Sequence, residues 1–187
     1  MDKSSKFIII KINNIWQLKL LEIKEDTIAH IKSQIKKIEA LIKKFISSNE
    51  AIKKQHDLLI TIPGIAFTTA TALLAELPEL SNFKTARELA AHIGVTPQHN
   101  ISGKSTGKRS SISKIGSGIL RKILYFPAVT ATVFNKNLSN FALKLRSKGK
   151  RKIVAIIAVM RKMVHIIFGV LKSGEEYQEN YTLNLTK

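Results

Sequence analysis

Between Leu21 and Ile52 the apolar side chains fall at Leu21, Ile28, Ile31, Ile35, Ile38, Ile42, Phe45 and Ile52. The middle of this series alternates steps of three and four, the period of a heptad seam, with Lys24 and Asn49 as polar interruptions. Flanking positions carry Lys32, Lys36, Lys37, Glu39, Lys43 and Lys44. The spacing predicts one long helix over residues 15–58, after a poorly defined segment at 1–14. Such a face either folds onto its own domain or joins two chains, and the sustained heptad favours the second. Further along, "SNFKTARELAAHIG" predicts a short helix with Ser81 or Asn82 as its cap and Gly94 as its end. Helical spacing returns over residues 117–135, broken or kinked near Pro127. It recurs over 138–147, closed by "SKGK", and over 150–171.

Between the heptad helix and the short capped helix stands "LLITIPGIAFTTATALLAELPEL". Pro63-Gly64 punctuates two apolar runs, and residues 66–77 read as a helix of small and aliphatic side chains. Helix, Pro-Gly hairpin and helix form the pattern of a helix-hairpin-helix element, in which the glycine and the amides of the next helix start face a DNA phosphate. The stretch resembles that element except at Ala66, where a second glycine is usual. A plain helical turn fits the same letters. The expected fold class is all-α: a long coiled-coil-like helix, then a compact helical domain over residues 59–177 containing this hairpin, then a tail at 178–187.

Membrane insertion is not expected. Ile153 to Met160 is an unbroken apolar run, but Arg161, Lys162 and His165 follow in the middle of the segment, and unpaired charge there is expensive in lipid. The segment reads as a core helix with a basic stripe, and His165 as a core-edge histidine. The N-terminal apolar run, Phe7 to Ile10, is too short for a secretory signal. No cysteine is present, so disulfides and thiolate metal sites are excluded. A bacterial cytoplasmic, nucleoid-associated protein is expected.

Charge sharpens the picture. The formal net charge is +18, and residues 89–174 hold sixteen Lys or Arg and no Asp or Glu. A half-domain of one sign repels itself unless a polyanion sits against it, and nucleic acid is the expected partner. Within this half lies "QHNISGKSTGKRSSISKIGSG", residues 98–118, with six serines and four basic residues. It is not a nucleotide-binding P-loop: Gly103 and Gly107 enclose three residues where that motif needs four, and Lys108 precedes Arg109. His92 and His99, seven apart with no carboxylate nearby, give no zinc spacing. A divalent-metal nuclease centre needs several carboxylates, which this half lacks. Phosphoryl chemistry here would therefore use a hydroxyl. Ser102, followed by Gly103, has Lys104, Lys108, Arg109, Lys114, Arg121 and Lys122 after it. These fit a serine that attacks a phosphodiester with cations offsetting the phosphoryl charge. They fit equally a basic loop that only touches backbone.

The order "IPGI…TATALLAELPEL…FKTARELAAHIGVTPQ…SGK…GKRSSISKIGSGILRKILYFPA", with "NLSNFALKLRSKGKRKIVAIIAVMRKMVHIIFGVLKSGEEY" after it, resembles the C-terminal domain of the insertion-sequence one-ten family of transposases. The likeness covers residues 56–177, and the heptad helix is similar to that family's coiled-coil connector. It implies a serine and DEDD-type recombinase, in some members guided by a bridge RNA. It implies that Ser102, in "NISGK", is the nucleophile that attacks DNA, and that Mg²⁺ belongs to a separate RuvC-like domain with four acidic residues. Only Asp2 among carboxylates precedes Glu22, so that nuclease domain is expected to be missing and the chain truncated, inactive alone and without a metal of its own. The expected partners are DNA, a guide RNA and a second copy through the heptad helix. Two other readings stay open: a non-catalytic helix-hairpin-helix DNA-binding module around Gly64, and an assembly protein whose coiled coil is the working part.

Overall fold

The heptad spacing does produce a helix. Helix α1 runs Lys3–Ser48, and Leu21, Ile28, Ile31, Ile35, Ile38 and Phe45 along it are exposed. The computed structural model describes the backbone of residues 3–98, 111–113 and 115–179, with side chains described from Trp16 onward except Gln98 and Ser111. The single helix expected over 15–58 is in fact two. Helical bonding stops at Asn49, whose N–H turns back to the Ile46 carbonyl at 3.2 Å, and α2 begins anew at Glu50. Asparagine competes with the helix for backbone partners, and Glu50 suits the positive start of the next helix. The chain divides into two compact units at this point.

The second unit holds α2 (Glu50–Ile60), α3 (Phe67–Glu76), a 3₁₀ turn (Leu80–Asn82), α4 (Ala86–Ile93), α5 (Gly118–Phe134), α6 (Lys136–Ser147) and α7 (Lys152–Ser173). Apart from a ladder of two-residue strands, β1 (Pro97–Gln98) and β2 (Ser111–Ile112), its regular structure is helical, so the all-α expectation holds. The axis of the core is α7, against which α2, α4, α5 and α6 all pack. Its buried face includes Val159, Met160, Met163, Val164 and Ile167. By length and composition alone α7 could cross a membrane, but half of its apolar window is buried within the protein. It is the core helix that the charge interruptions indicated.

One cap and one expected break differ from expectation. Helix α4 is capped by Thr85, not by Ser81 or Asn82: Thr85 Oγ1 accepts the Glu88 N–H at 3.3 Å, and Glu88 Oε2 accepts the Lys84 N–H at 2.8 Å. The chain puts Leu80–Asn82 into the 3₁₀ turn instead, leaving the Thr85–Glu88 pair to open the helix. Helix α5 runs through Pro127 without a break, Pro127 being buried in the core. The next helix starts at Asn135, which is buried and accepts the Leu138 N–H at 3.0 Å. The Asn135 amide also donates to the Tyr177 hydroxyl at 2.9 Å, and the Tyr177 N–H donates to Thr61 Oγ1 at 2.9 Å, so the segment after α7 is tied back onto the hairpin and the α5–α6 corner.

Candidate nucleic-acid interface

The Pro63-Gly64 turn joins α2 to α3 tightly, with the Ile65 N–H donating to the Ile62 carbonyl at 3.0 Å. Gly64 takes φ +99°, and a Cβ there would lie 2.8 Å from the Pro127 carbonyl oxygen and 3.3 Å from the Ala131 nitrogen. Glycine is therefore required for the turn to sit on α5. Ala66, where a second glycine is usual in the helix-hairpin-helix pattern, has φ −96° and ψ 171°, an extended conformation open to any residue. The two helices are pinned by His56. It is buried, stacks edge-on against Phe67 at 4.7 Å between ring centres, and places Nε2 3.3 Å from both the Phe67 carbonyl and Thr71 Oγ1. Sequence reasoning passed over His56, because a histidine on an otherwise polar stretch of α2 carries no signal of its own.

A second construction frames the serine-rich segment. Helix α4 ends on Gly94 in the left-handed conformation (φ +79°). Pro97 and Gln98 then pair antiparallel with Ile112 and Ser111, and the Ser113 N–H donates to the Thr96 carbonyl at 2.9 Å. Both ends of the intervening segment, residues 99–110, thus leave one small platform. Beneath it the Ser117 N–H donates to the His92 carbonyl at 3.0 Å, and Ser117 Oγ caps α5 by accepting the Leu120 N–H at 3.2 Å. Gly116 (φ +133°) approaches so closely that a Cβ would fall 2.0 Å from the His92 oxygen. Arg121 closes the joint: its Nη1 donates to the Ile93 carbonyl at 2.7 Å and the Gly116 carbonyl at 3.3 Å.

The predicted site residues are thereby sorted. Ser102, Gly103, Lys104, Lys108, Arg109 and Lys114 lie outside the described residues. Arg121 stands at the base of the platform, with its guanidinium on backbone carbonyls, and Lys122 beside it is exposed. Gly64 belongs to the hairpin, packed on α5. Among the described residues no three His, Asp or Glu side chains gather where a metal could sit. By sequence the platform segment offers hydroxyls and cations and no carboxylate, a donor set that does not fit Mg²⁺.

The described residues thus form a basic all-α unit, and the serine-rich, carboxylate-free segment at residues 99–110 departs from and returns to its clamped platform. Residues 56–143 match the model of the transposase IS116/IS110/IS902 family, and the chain belongs to that family. It is 33% identical over 157 residues to a pilin gene-inverting protein of Moraxella bovis, covering 83% of this chain and 48% of that protein. It is also similar to the transposase for insertion sequence element IS1328 of Yersinia enterocolitica, at 34% over 96 residues (51% of this chain, 27% of that one). A 43.6 kDa protein of insertion element IS110 from Streptomyces coelicolor matches at 24% over 131 residues, 68% of this chain and 32% of that one. The chain spans about half or less of the length of these relatives.

Proposed function

We propose that this chain is the DNA-binding, serine-bearing part of an insertion-sequence transposase, and that Ser102 is its nucleophile. The observation that supports this most is the platform: a segment rich in serine and cations, free of carboxylates, whose two ends are held together by β1, β2 and Arg121. In the reaction, Ser102 Oγ bonds to a DNA phosphorus as the bond to the neighbouring deoxyribose oxygen breaks. The Ser102 proton passes to a base outside this segment, which has no carboxylate to receive it. Lys104, Lys108, Arg109 and Lys114 offset the charge on the phosphoryl oxygens. The Pro63-Gly64 hairpin and Lys122 hold the duplex by its backbone. Metal, where the complete reaction uses Mg²⁺, is held by an acidic domain and not by this chain. A guide RNA and a second copy joined along α1 complete the assembly. Strand exchange of this kind agrees with the gene inversion in the Moraxella bovis relative's name.

The test is reconstitution with the acidic domain of a full-length family member and its junction DNA, followed by denaturing electrophoresis. A protein–DNA adduct should form with the wild-type chain and vanish in Ser102→Ala. Equal adduct from Ser102→Ala removes Ser102 from the role. A non-catalytic module would bind DNA without any adduct.

A further inference from the structure

Helix α5 is apolar on two opposite faces. One face, through Leu120, Leu124, Pro127, Ala128 and Ala131, is buried in the core. The other meets solvent. Ile119, Phe126 and Val133 lie one heptad apart and are 54%, 73% and 69% exposed, and Phe134, beside Val133, is 74% exposed. Lys122 and Thr130 occupy the intervening turns of the same face and are exposed as well. Positions three, four and seven apart line up along one side of a helix, so these residues form a single stripe about 21 Å long. Single apolar side chains on a surface are ordinary, whereas a helix that is apolar all round is normally covered on every side. The stripe also starts at the platform. Exposed Ile115 stands just before Ser117, which caps α5 and whose N–H is bonded to the His92 carbonyl.

Charge decides what covers it. A second copy laid face to face on this stripe would set Lys122 against further cations, since residues 89–174 hold no carboxylate to answer it. Unpaired nucleotides answer both parts of the stripe: each base offers a flat face to a phenylalanine ring, and each phosphate offers an anion to the lysine. Duplex DNA answers the lysine alone, because its bases are stacked inside the helix. We propose, resting on the reading of Ser102 as the strand-exchange nucleophile, that the outer face of α5 is a stacking track for an unpaired DNA strand. Phe126 and Phe134 take bases, and Lys122 takes a neighbouring phosphate. Strand exchange parts a strand from its complement, and the strand attacked at the platform is DNA. The bases freed nearest the platform then meet Ile119 and Phe126 first. Stacked there, they are kept from pairing again with the old complement, and because every base has a π-face the track reads no sequence.

The experiment measures affinity of the full chain for a short single-stranded DNA of mixed sequence, for the same sequence as a duplex, and for the same sequence as RNA, over a range of salt concentrations. Phe126→Ala/Phe134→Ala removes two exposed rings and no charge, so the melting temperature should stay as in the wild type. Affinity for single-stranded DNA should fall by about 5-fold or more per ring, the lower limit for a base stacked on an aromatic side chain. Duplex affinity and the salt slope should not change, because no phosphate contact is lost. Phe126→Tyr/Phe134→Tyr keeps both rings and should bind as the wild type does. Phe126→Trp in a Trp16→Phe background carries the chain's one indole on the stripe, and single-stranded DNA should quench its fluorescence where duplex does not. That readout stands even if the double alanine variant fails to fold. Equal single-strand affinity in the wild type and the double alanine variant, or an unquenched indole, overturns the proposal. Loss on RNA alone overturns the choice of DNA, and weaker self-association with single-strand affinity intact gives the stripe to a second copy. A wild-type chain that binds neither DNA probe refutes the DNA-binding function itself. One that binds duplex, and binds the single strand without help from either ring, refutes the stacking track alone.

Discussion

Arg121 carries the most positional information of any single residue near the candidate site. As a cation on the helix after the serine-rich segment it reads as a phosphate ligand, yet its guanidinium is held on the Ile93 and Gly116 carbonyls. Arg121→Ala leaves those carbonyls without their charged donor, at a cost of about 2 kcal/mol. The expected outcome is a lower urea midpoint with faster amide exchange at Ser113 and Ser117, whose bonds flank the joint. Arg121→Lys, with one donor point in place of a fork, should recover part of it. Unchanged exchange at both amides would show that the clamp does not hold the platform. His165 offers a second check at this scale. Burial first, then Arg161, Arg87 and Lys162, hold its imidazole below the ordinary value of 6.5. The unfolded chain then binds more protons than the folded one in the window below 6.5. Stability is therefore complete above that pH, is lost as pH falls through 6.5 toward the folded value, and is lost no further beneath it. Urea melts at pH 7.5 and 5.5 should show the wild type losing more than His165→Gln. Equal losses would mean that His165 titrates normally.

Elements were legible in the sequence where periodicity or a glycine governs them, and less so where a tertiary partner does. The heptad spacing yields α1, and Gly94 ends α4 as its left-handed conformation requires. The break at Asn49 was missed because the heptad tolerates a polar residue there, whereas the backbone uses the same asparagine to stop. Thr85 was missed as a cap because Ser81 and Asn82 are equally good letters, and only the 3₁₀ turn removes them. Nothing local identifies the shorter of the two Arg121 bonds, since its acceptor, Ile93, lies 28 residues away along the chain. The hairpin tests how much of this is packing. Gly64→Ala meets both a positive φ and the Pro127 oxygen at 2.8 Å, whereas Gly149→Ala has φ +76° and nothing within 4 Å. Gly149→Ala should cost about 1 kcal/mol from backbone strain alone, and Gly64→Ala clearly more, read as the difference in urea midpoints. Similar losses would mean that the α2–α3 turn can lift off α5 at no cost. For α1, the exposed Ile31, Ile35 and Ile38 stripe has the spacing of a seam awaiting a partner helix. Sedimentation of the full chain should show self-association that Ile31→Lys/Ile38→Lys abolishes. A wild-type monomer at tens of micromolar would exclude the seam.

On the scale of the whole molecule, the one-sided distribution of charge sets the response to salt. Sixteen cations and no carboxylate in residues 89–174 place one sign of charge on α5, α6, α7 and the segment between β1 and β2. The core of α7 holds that half together against its own repulsion, and apolar burial is insensitive to moderate salt whereas the repulsion is screened within about 10 Å at 0.1 M. Two salt responses of opposite sign follow. Raising sodium chloride from 50 to 500 mM should raise the melting temperature of the chain alone, because screening relieves the folded state more than the expanded one. The same change should weaken its grip on duplex DNA by orders of magnitude, because every phosphate contact releases counterions. DNA added at low salt should restore the lost stability, by about 2.7 kcal/mol at one hundred times the dissociation constant. Melting curves with and without a short duplex DNA, at both salt concentrations, measure all three effects in one series. A melting temperature that falls with salt in the absence of DNA would mean that the cations are already neutralised within the fold, and the electrostatic basis for the proposed DNA binding would be lost.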